Sequence, residues 1–306
     1  MSALDRLGPE ARGIFFMICA MISMSTMDAT AKLLSSQVDT VMVLWARYLG
    51  QTLFVLVLVG PRLRQVVRTR YPKLQFLRSV FVVSATTFFF FGIRSLGLAE
   101  STAIVDLNPV LVTLGAALFL GEGIGLRRLL GVLAALVGAL IVIRPGSEVF
   151  QPASILPLCA AFSFAGYALV TRFVGLDEDV WTSLFYSALF GTLILTVAVP
   201  FFWTPPGFAA ACGMVLIGGI GLTGQMFLIR AYSAAEAGLI APFSYVQVLA
   251  AAFWGVVLFG DFPDAATWVG MVVIVGSGIY IWHRETRAAR DLVAQKARAD
   301  AEATQF

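Results

Sequence analysis

Residues 13–34 read GIFFMICAMISMSTMDATAKLL, and residues 153–174 read ASILPLCAAFSFAGYALVTRFV. Each stretch is close to the ~20 predominantly apolar residues a helix needs to cross a hydrocarbon core. The two are also related. A shift within 136–141 positions lays Cys19-Ala20 on Cys159-Ala160, Ser23 on Ser163 and Lys32 on Arg172. A span that recurs within one chain predicts a fold built from repeated membrane segments.

Working outward from these two, further stretches of the same kind lie at 39–60, 75–97, 100–120, 127–144, 180–202, 208–231, 237–260 and 265–283. With the first pair they predict ten transmembrane helices. The breaks carry turn residues: Gly60-Pro61, Gly121-Glu122, Arg144-Pro145-Gly146, Thr204-Pro205-Pro206-Gly207 and Gly260-Asp261-Phe262-Pro263. Composition agrees. The 306 residues are 59% hydrophobic and 13% charged, with a mean hydropathy of +0.88. Soluble domains carry about 25% charged residues. A water-soluble fold of this size has too little polar surface to cover so much apolar side chain.

The first stretch has the outline of a signal peptide, with Arg12 ahead of it and Ala29-Thr30-Ala31 near its end. Its counterpart at 153–174 argues for a retained helix. The net charge of +3 and the pI of about 8.9 do not point to nucleic acid. The basic residues sit between apolar runs and in the tail, where they set membrane orientation. Arg62, Arg64, Arg68, Arg70, Lys73 and Arg78 are counted with the second-to-third loop, Arg127 and Arg128 with the fourth-to-fifth, and Arg284, Arg287, Arg290, Lys296 and Arg298 with the tail. Lys32, Arg94 and Arg144 remain for the other side. Both termini are therefore expected in the cytoplasm.

The repeat extends along the chain. Asp39 meets Asp179, Gly50 falls beside Gly191, Ile93-Arg94 meets Ile229-Arg230, Glu100 meets Glu236, Gly121-Glu122 meets Gly260-Asp261, and Gly131 meets Gly270. The expected division is 1–147 for the first five-helix half, 148–285 for the second and 286–306 for a cytoplasmic tail. Five is odd, so the second half enters the membrane from the opposite side. Such inverted repeats are typical of secondary transporters.

Asn108-Pro109 lies inside the fourth span, which ends in Phe119-Leu120-Gly121-Glu122. The next helix carries Gly131 and Gly138 and closes on Ile143-Arg144-Pro145, and the plan recurs at Gly260-Asp261, Gly270 and Gly276. This resembles the drug/metabolite transporter superfamily in its ten-helix EamA-type branch, over nearly the whole chain. Within that branch the chain is most similar to YddG-type exporters of aromatic amino acids. The resemblance implies a central cavity between the halves and efflux across a bacterial inner membrane.

Ionisable groups inside spans are costly and each needs a reason. Asp28 reads either as a cation or proton site or as a partner of Lys32 at i,i+4. Arg47 reads as an attractor of a substrate carboxylate, as a structural pair, or as a snorkelling side chain. Asp106 and Asn108 lie beside Pro109, which removes a backbone hydrogen bond, so this part of the span is expected to line a cavity; a structural kink is the alternative. The repeat-related stretch is Ser244-Tyr245-Val246-Gln247. Tyr245 and Gln247 do not share one helix face, so one is expected to line the cavity and the other to pack. Gln225 follows Gly218, Gly219, Gly221 and Gly224, which serve close helix packing or bending. Of Phe88 to Phe91, with Phe90 the candidate, at most two can face one space. Tyr167 and Trp45 are further aromatic candidates.

Cys19, Cys159 and Cys212 lie in apolar runs and read as small buried hydrophobes. With His283 the one histidine and no Cys-x-x-Cys spacing, no metal or cofactor is expected. Neither His-Glu-x-x-His nor a phosphate-binding glycine loop occurs, which disfavours an enzyme or an ATP-driven pump. The expected partners are a small-molecule substrate and the lipid bilayer, not nucleic acid. The oligomeric state is left open. Few charges and many neutral or aromatic candidates favour zwitterions such as neutral and aromatic amino acids over nucleotide sugars.

Overall fold

The computed structural model describes residues 9–108, 126–143, 152–174, 178–234 and 245–277, with single positions 111, 114, 115, 118, 243, 279, 280 and 283 besides. Among them the regular structure is helical throughout. The helices are α1 (Pro9–Ser35), α2 (Thr40–Val59), α3 (Pro72–Ser95), α4 (Leu98–Val105), α5 (Leu126–Ile143), α6 (Ile155–Val174), α7 (Val180–Ala198), α8 (Phe208–Ala234), α9 (Val246–Trp254) and α10 (Ala265–Ser277). Helices α1, α2, α3, α6, α7 and α8 are each long and apolar enough to cross a membrane. The described parts of the other four expected spans are α4, α5, α9 and α10. The tail 286–306, Pro109, Gly121-Glu122, Arg144-Pro145 and Pro242-to-Ser244 positions 242 and 244 lie outside the described residues.

Repeat-related residues do the same local work. Asp39 caps α2 by accepting from the Val41 amide (2.8 Å), and Asp179 caps α7 by accepting from the Trp181 amide (3.2 Å). Pro61 and Pro200 each sit in a tight 3₁₀ turn, Gly60–Arg62 after α2 and Val199–Phe201 after α7. Pro72 opens α3 at a position where a missing amide hydrogen is harmless. Glu100 closes the start of α4 by accepting from the Gly97 amide (2.9 Å). A π-helical turn, Gly255–Phe259, follows α9 and stops at Gly260, whose φ of 69° suits glycine.

Packing crosses between the halves. Helix α1 lies along α8, and α3 lies along α6; α2 packs on both α8 and α7, and α3 on α7; α1 meets α9, and α4 meets both α6 and α9. Exchanging α1 with α6, α2 with α7, α3 with α8 and α4 with α9 maps this set of contacts onto itself. The main core cluster draws on both halves, with Met42, Leu44, Phe90, Ile93, Ala160 and Ile217 all in it. Outward surfaces carry exposed Leu53, Val57, Phe76, Leu193, Val197 and Val215, as a lipid-facing bundle requires.

Glycines set the tightest approaches. A Cβ on Gly50 would stand 2.8 Å from the Gly218 Cα, so α2 and α8 touch backbone to backbone. On α8, added Cβ atoms at Gly221 and Gly224 would meet Met27 and Met24 of α1 at 2.9 and 3.0 Å. These glycines of α8 serve close packing. In van der Waals terms that contact is the main attraction available between helices in lipid.

Three details differ from the sequence reading. Arg78 belongs to helix α3 and is 6% exposed, not a loop charge. Lys32 does not pair with Asp28: its Nζ reaches Asp261 Oδ2 (2.6 Å) and the Leu96 carbonyl (3.2 Å) instead. At the end of α1 the flexible ammonium meets the turn after α9 more readily than a carboxylate one turn back that is itself buried. Cys212 is exposed, while Cys19 and Cys159 are half-buried.

Candidate substrate site

Asp28 is 4% exposed, four residues short of Lys32 on α1. Its Oδ2 accepts from Gln247 Nε2 of α9 at 3.2 Å. This hydrogen bond joins the first half to the second, because α1 and α9 pack together. Arg47 of α2 is the charged neighbour of Asp28, though no ion pair closes between them. The Arg47 guanidinium stands 5.3 Å from the Tyr48 ring and 5.4 Å from the Phe90 ring. Both distances are within the cation–π range. Its Nε is buried and has no hydrogen-bond partner.

Phe90 is fully buried, as Phe89 nearly is, while Phe88 and Phe91 are half-buried. Tyr48 supports this wall. Its hydroxyl donates to Thr86 Oγ1 (3.0 Å), which donates to the Val82 carbonyl (2.8 Å). Gly191 of α7 makes room for the Tyr48 ring, since a Cβ there would lie 2.5 Å from Cδ1. Asp28, Arg47, Phe90 and Gln247 thus come together from α1, α2, α3 and α9.

A second group forms where α4 meets α9. The amide of Asp106 donates to the Thr102 carbonyl (2.9 Å) at the end of α4. Asp106 Oδ2 and Asn108 Oδ1 are both buried without a partner. Tyr245 is 8% exposed and packs with Ala103, Ile104, Leu107 and Val248, with Asp106 as its charged neighbour. Tyr245 and Gln247 therefore point to different surroundings, one apolar and one towards Asp28. Ser244 lies outside the described residues. Gln225 is half-buried on α8, the helix that runs along α1.

Tyr167 of α6 forms a third contact. Its hydroxyl accepts from Arg78 Nη2 of α3 at 2.8 Å. Trp45 faces elsewhere, donating from Nε1 to Thr196 Oγ1 (2.9 Å) and standing edge-on to Trp203. Sequence reasoning missed Arg78, Tyr48 and Thr86 as site residues. For Arg78 the available signal was Pro72, whose preference for the first helical turn places residue 78 inside the helix. An open groove of 430 Å³ between α5 and α10, lined by Leu130, Ala134, Val272, Val273, Ser277 and Tyr280, lies apart from these charged groups and is mostly apolar.

The chemistry of the Asp28 group suits a solute that carries both charges. One carboxylate, one guanidinium and one amide converge beside an aromatic wall, and the guanidinium is not consumed by an internal ion pair. Burying such groups is unfavourable unless partners complete them.

Comparison with known proteins places this bundle. A relative named S-adenosylmethionine uptake transporter, from Rickettsia felis, is 26% identical over 285 residues, covering 93% of this chain and 97% of its own. A pseudopaline exporter from Pseudomonas aeruginosa is 28% identical over 268 residues, 86% and 93% of the two chains. A riboflavin transporter from Rhizobium johnstonii is 28% identical over 228 residues, 73% and 74%. A crystal structure superposes with a TM-score of 0.64 at 19% identity, covering 92% of this chain and 99% of that one, which shows a shared fold. The profile of the EamA-like transporter family matches twice, at residues 11–144 and 151–282. The chain is a multi-pass membrane protein that belongs to the EamA-like transporter family.

Proposed function

We propose that the chain is a secondary transporter that exports neutral and aromatic amino acids and related small metabolites by alternating access. In this reading ten helices form two inverted halves, 1–147 and 148–285, with both termini and the tail 286–306 in the cytoplasm of a cell whose inner membrane holds the protein. The observation that carries it is the Asp28–Gln247 hydrogen bond beside Arg47 and Phe90. It puts one acid, one base and an aromatic face at the seam between the halves. Rocking of the halves would open that seam to either side. Asp106, Asn108, Tyr245, Ser244, Tyr167 and Gln225 complete the proposed lining.

The names of the relatives favour a second direction of transport. Relatives named as uptake transporters and relatives named as exporters both occur. S-adenosylmethionine is itself an α-amino acid derivative, so uptake of such a compound uses the same groups as amino-acid export. The test is flux in proteoliposomes of labelled phenylalanine, tryptophan, threonine, methionine and S-adenosylmethionine, with and without a pH gradient. Saturable flux of at least one, inhibited by the others, is expected. Transport of a nucleotide sugar with no inhibition by any amino acid would overturn the substrate assignment.

A further inference from the structure

The sequence reading placed one arginine in the interior of the bundle. Among the described residues a second one, on another helix, is buried, and its contact with Tyr167 lies outside the Asp28 group. Arg78 is 6% exposed. One hydrogen bond from Nη2 goes to the Tyr167 hydroxyl (2.8 Å), and the guanidinium stands 4.8 Å from that ring. Its Nε is buried with no partner. A neutral phenol satisfies one donor of the five that a guanidinium carries and supplies no counter-charge.

Glu178, which reaches Gln75 on the same helix as Arg78, does not pair with Arg78. Glu178 accepts from Thr69 Oγ1 (2.6 Å), from the Arg70 amide (3.4 Å) and from Gln75 Nε2 (3.5 Å), one turn before Arg78. The helix does not help either. Arg78 lies in the first half of α3 (Pro72–Ser95), near the end where the helix dipole is positive. A buried cation under these conditions is strongly unfavourable, and an ionisable group retained inside a membrane bundle points to a ligand.

Arg78 is also distinct from the Asp28 group. At ~1.5 Å per residue, Arg78 and Phe90 are separated by roughly 18 Å along α3. Tyr48 and Thr86 occupy the interval with their own hydrogen bond. Along α3 the contacts are therefore Arg78 with Tyr167, then Thr86 with Tyr48, then Phe90 with Arg47.

We propose that Arg78, positioned by Tyr167, is an anion station that takes a carboxylate of the transported solute. The flat guanidinium can offer two parallel N–H donors to a carboxylate, which an ammonium or an amide cannot do. This deepens the transporter reading and rests on it: the solutes handled must carry a carboxylate, and amines or neutral analogues of the same shape are rejected.

The experiment measures binding separately from flux. Purified full-length protein in detergent is heated with 3-phenylpropionate, with 3-phenylpropionamide, with phenethylamine, or with sodium chloride at matched ionic strength. The carboxylate is expected to raise the unfolding temperature, and the other three are not. Arg78→Gln is expected to weaken the apparent dissociation constant for 3-phenylpropionate roughly tenfold or more, and Arg78→Lys to lie between. Equal stabilisation by the amide or by chloride, no stabilisation of the wild type, or wild-type affinity in Arg78→Lys and Arg78→Gln would each overturn the station. Should Arg78→Gln not fold, Arg78→Lys still decides, with Arg47→Lys as the control that separates the two guanidiniums. Intact carboxylate binding without flux of any labelled amino acid would count against the transport assignment and leave the station standing.

Discussion

The hydroxyl oxygens of Thr52 and Thr192 stand 2.8 Å apart, although 140 positions separate them in the chain. That displacement is the one that relates Cys19 to Cys159. Two equivalent residues of a repeat can touch only where the axis that relates the halves passes between them. The axis that relates the halves therefore passes through the α2–α7 contact. Each hydroxyl also has the carbonyl one turn back within reach, Thr52 that of Tyr48 (2.8 Å) and Thr192 that of Ala188 (2.9 Å), so one threonine donates to the other while the second donates to its own carbonyl. The pair should thus couple weakly. A cycle of Thr52→Val, Thr192→Val and the double variant is expected to give a coupling of about 0.6 kcal/mol, the size seen for such bonds in membranes, in thermal unfolding in detergent. Strict additivity would remove the axis contact.

Gly50 and Gly218 offer a sharper packing test. A Cβ on either would stand within 2.8 Å of the other's Cα, and backbone cannot swing aside. Gly50→Ala and Gly218→Ala should each cost about 1–3 kcal/mol and lower the unfolding temperature. Gly207→Ala, with nothing within 4 Å of the added carbon, should leave it unchanged. Equal effects at all three positions would contradict the backbone contact.

The Lys32–Asp261 pair ties the end of α1 to the turn after α9. In a background without Cys19, Cys159 and Cys212, the double variant Lys32→Cys, Asp261→Cys should be joined by a bifunctional thiol reagent whose spacer matches a lysine side chain, because the two side-chain tips meet while disulfide geometry is not required of the backbone. If this end of the seam must open, flux should stop on cross-linking. Absence of cross-linking with spacers of every length up to that of a lysine plus an aspartate side chain would refute the pairing. Because Asp261 is 44% exposed at its side chain, breaking the pair alone should change stability by less than about 1 kcal/mol.

Orientation is open to labelling. Gly207→Cys should react with an impermeant thiol reagent applied to intact cells, and Arg68→Cys only after permeabilisation. Both positions are exposed. Reaction at Arg68→Cys from outside would invert the proposed topology.

Asp28→Asn keeps an acceptor for Gln247 while deleting the charge, whereas Gln247→Ala keeps the charge and strands it. Both variants should fold, and both should reduce amino-acid flux roughly tenfold or more, as expected for a hydrogen bond to a charged group. If Gln247→Ala transports normally, the seam between α1 and α9 is not where the solute sits.

The sequence was most informative where physics acts locally. Apolar length gave the spans of α1, α2, α3, α6, α7 and α8, and the matched pair Asp39 and Asp179 marked two helix starts that the structure caps identically. Side-chain partners across the bundle were not legible. Lys32 was free to choose between a carboxylate one turn away and one that arrives 229 positions later, and the later one won. Asp28 and Gln247 were both singled out, yet nothing local says that they meet. Arg78 was misread because a basic residue near a span boundary has the same appearance in a loop and in the second turn of a helix.

The exchange of partners between halves has a consequence for biogenesis. The chief neighbour of α1 is α8, so α1 must wait in the bilayer while the chain from Ser35 to Phe208 is made. At ~5–20 residues per second that interval is roughly 10–30 s. Throughout it Asp28 has no Gln247, and the Gly-lined flank that α1 will meet does not yet exist. Helix α3 can meet α6 once Val174 is made and α2 can meet α7 once Ala198 is made, but α1 must still wait for α8, which leaves it exposed to quality-control proteases for that time.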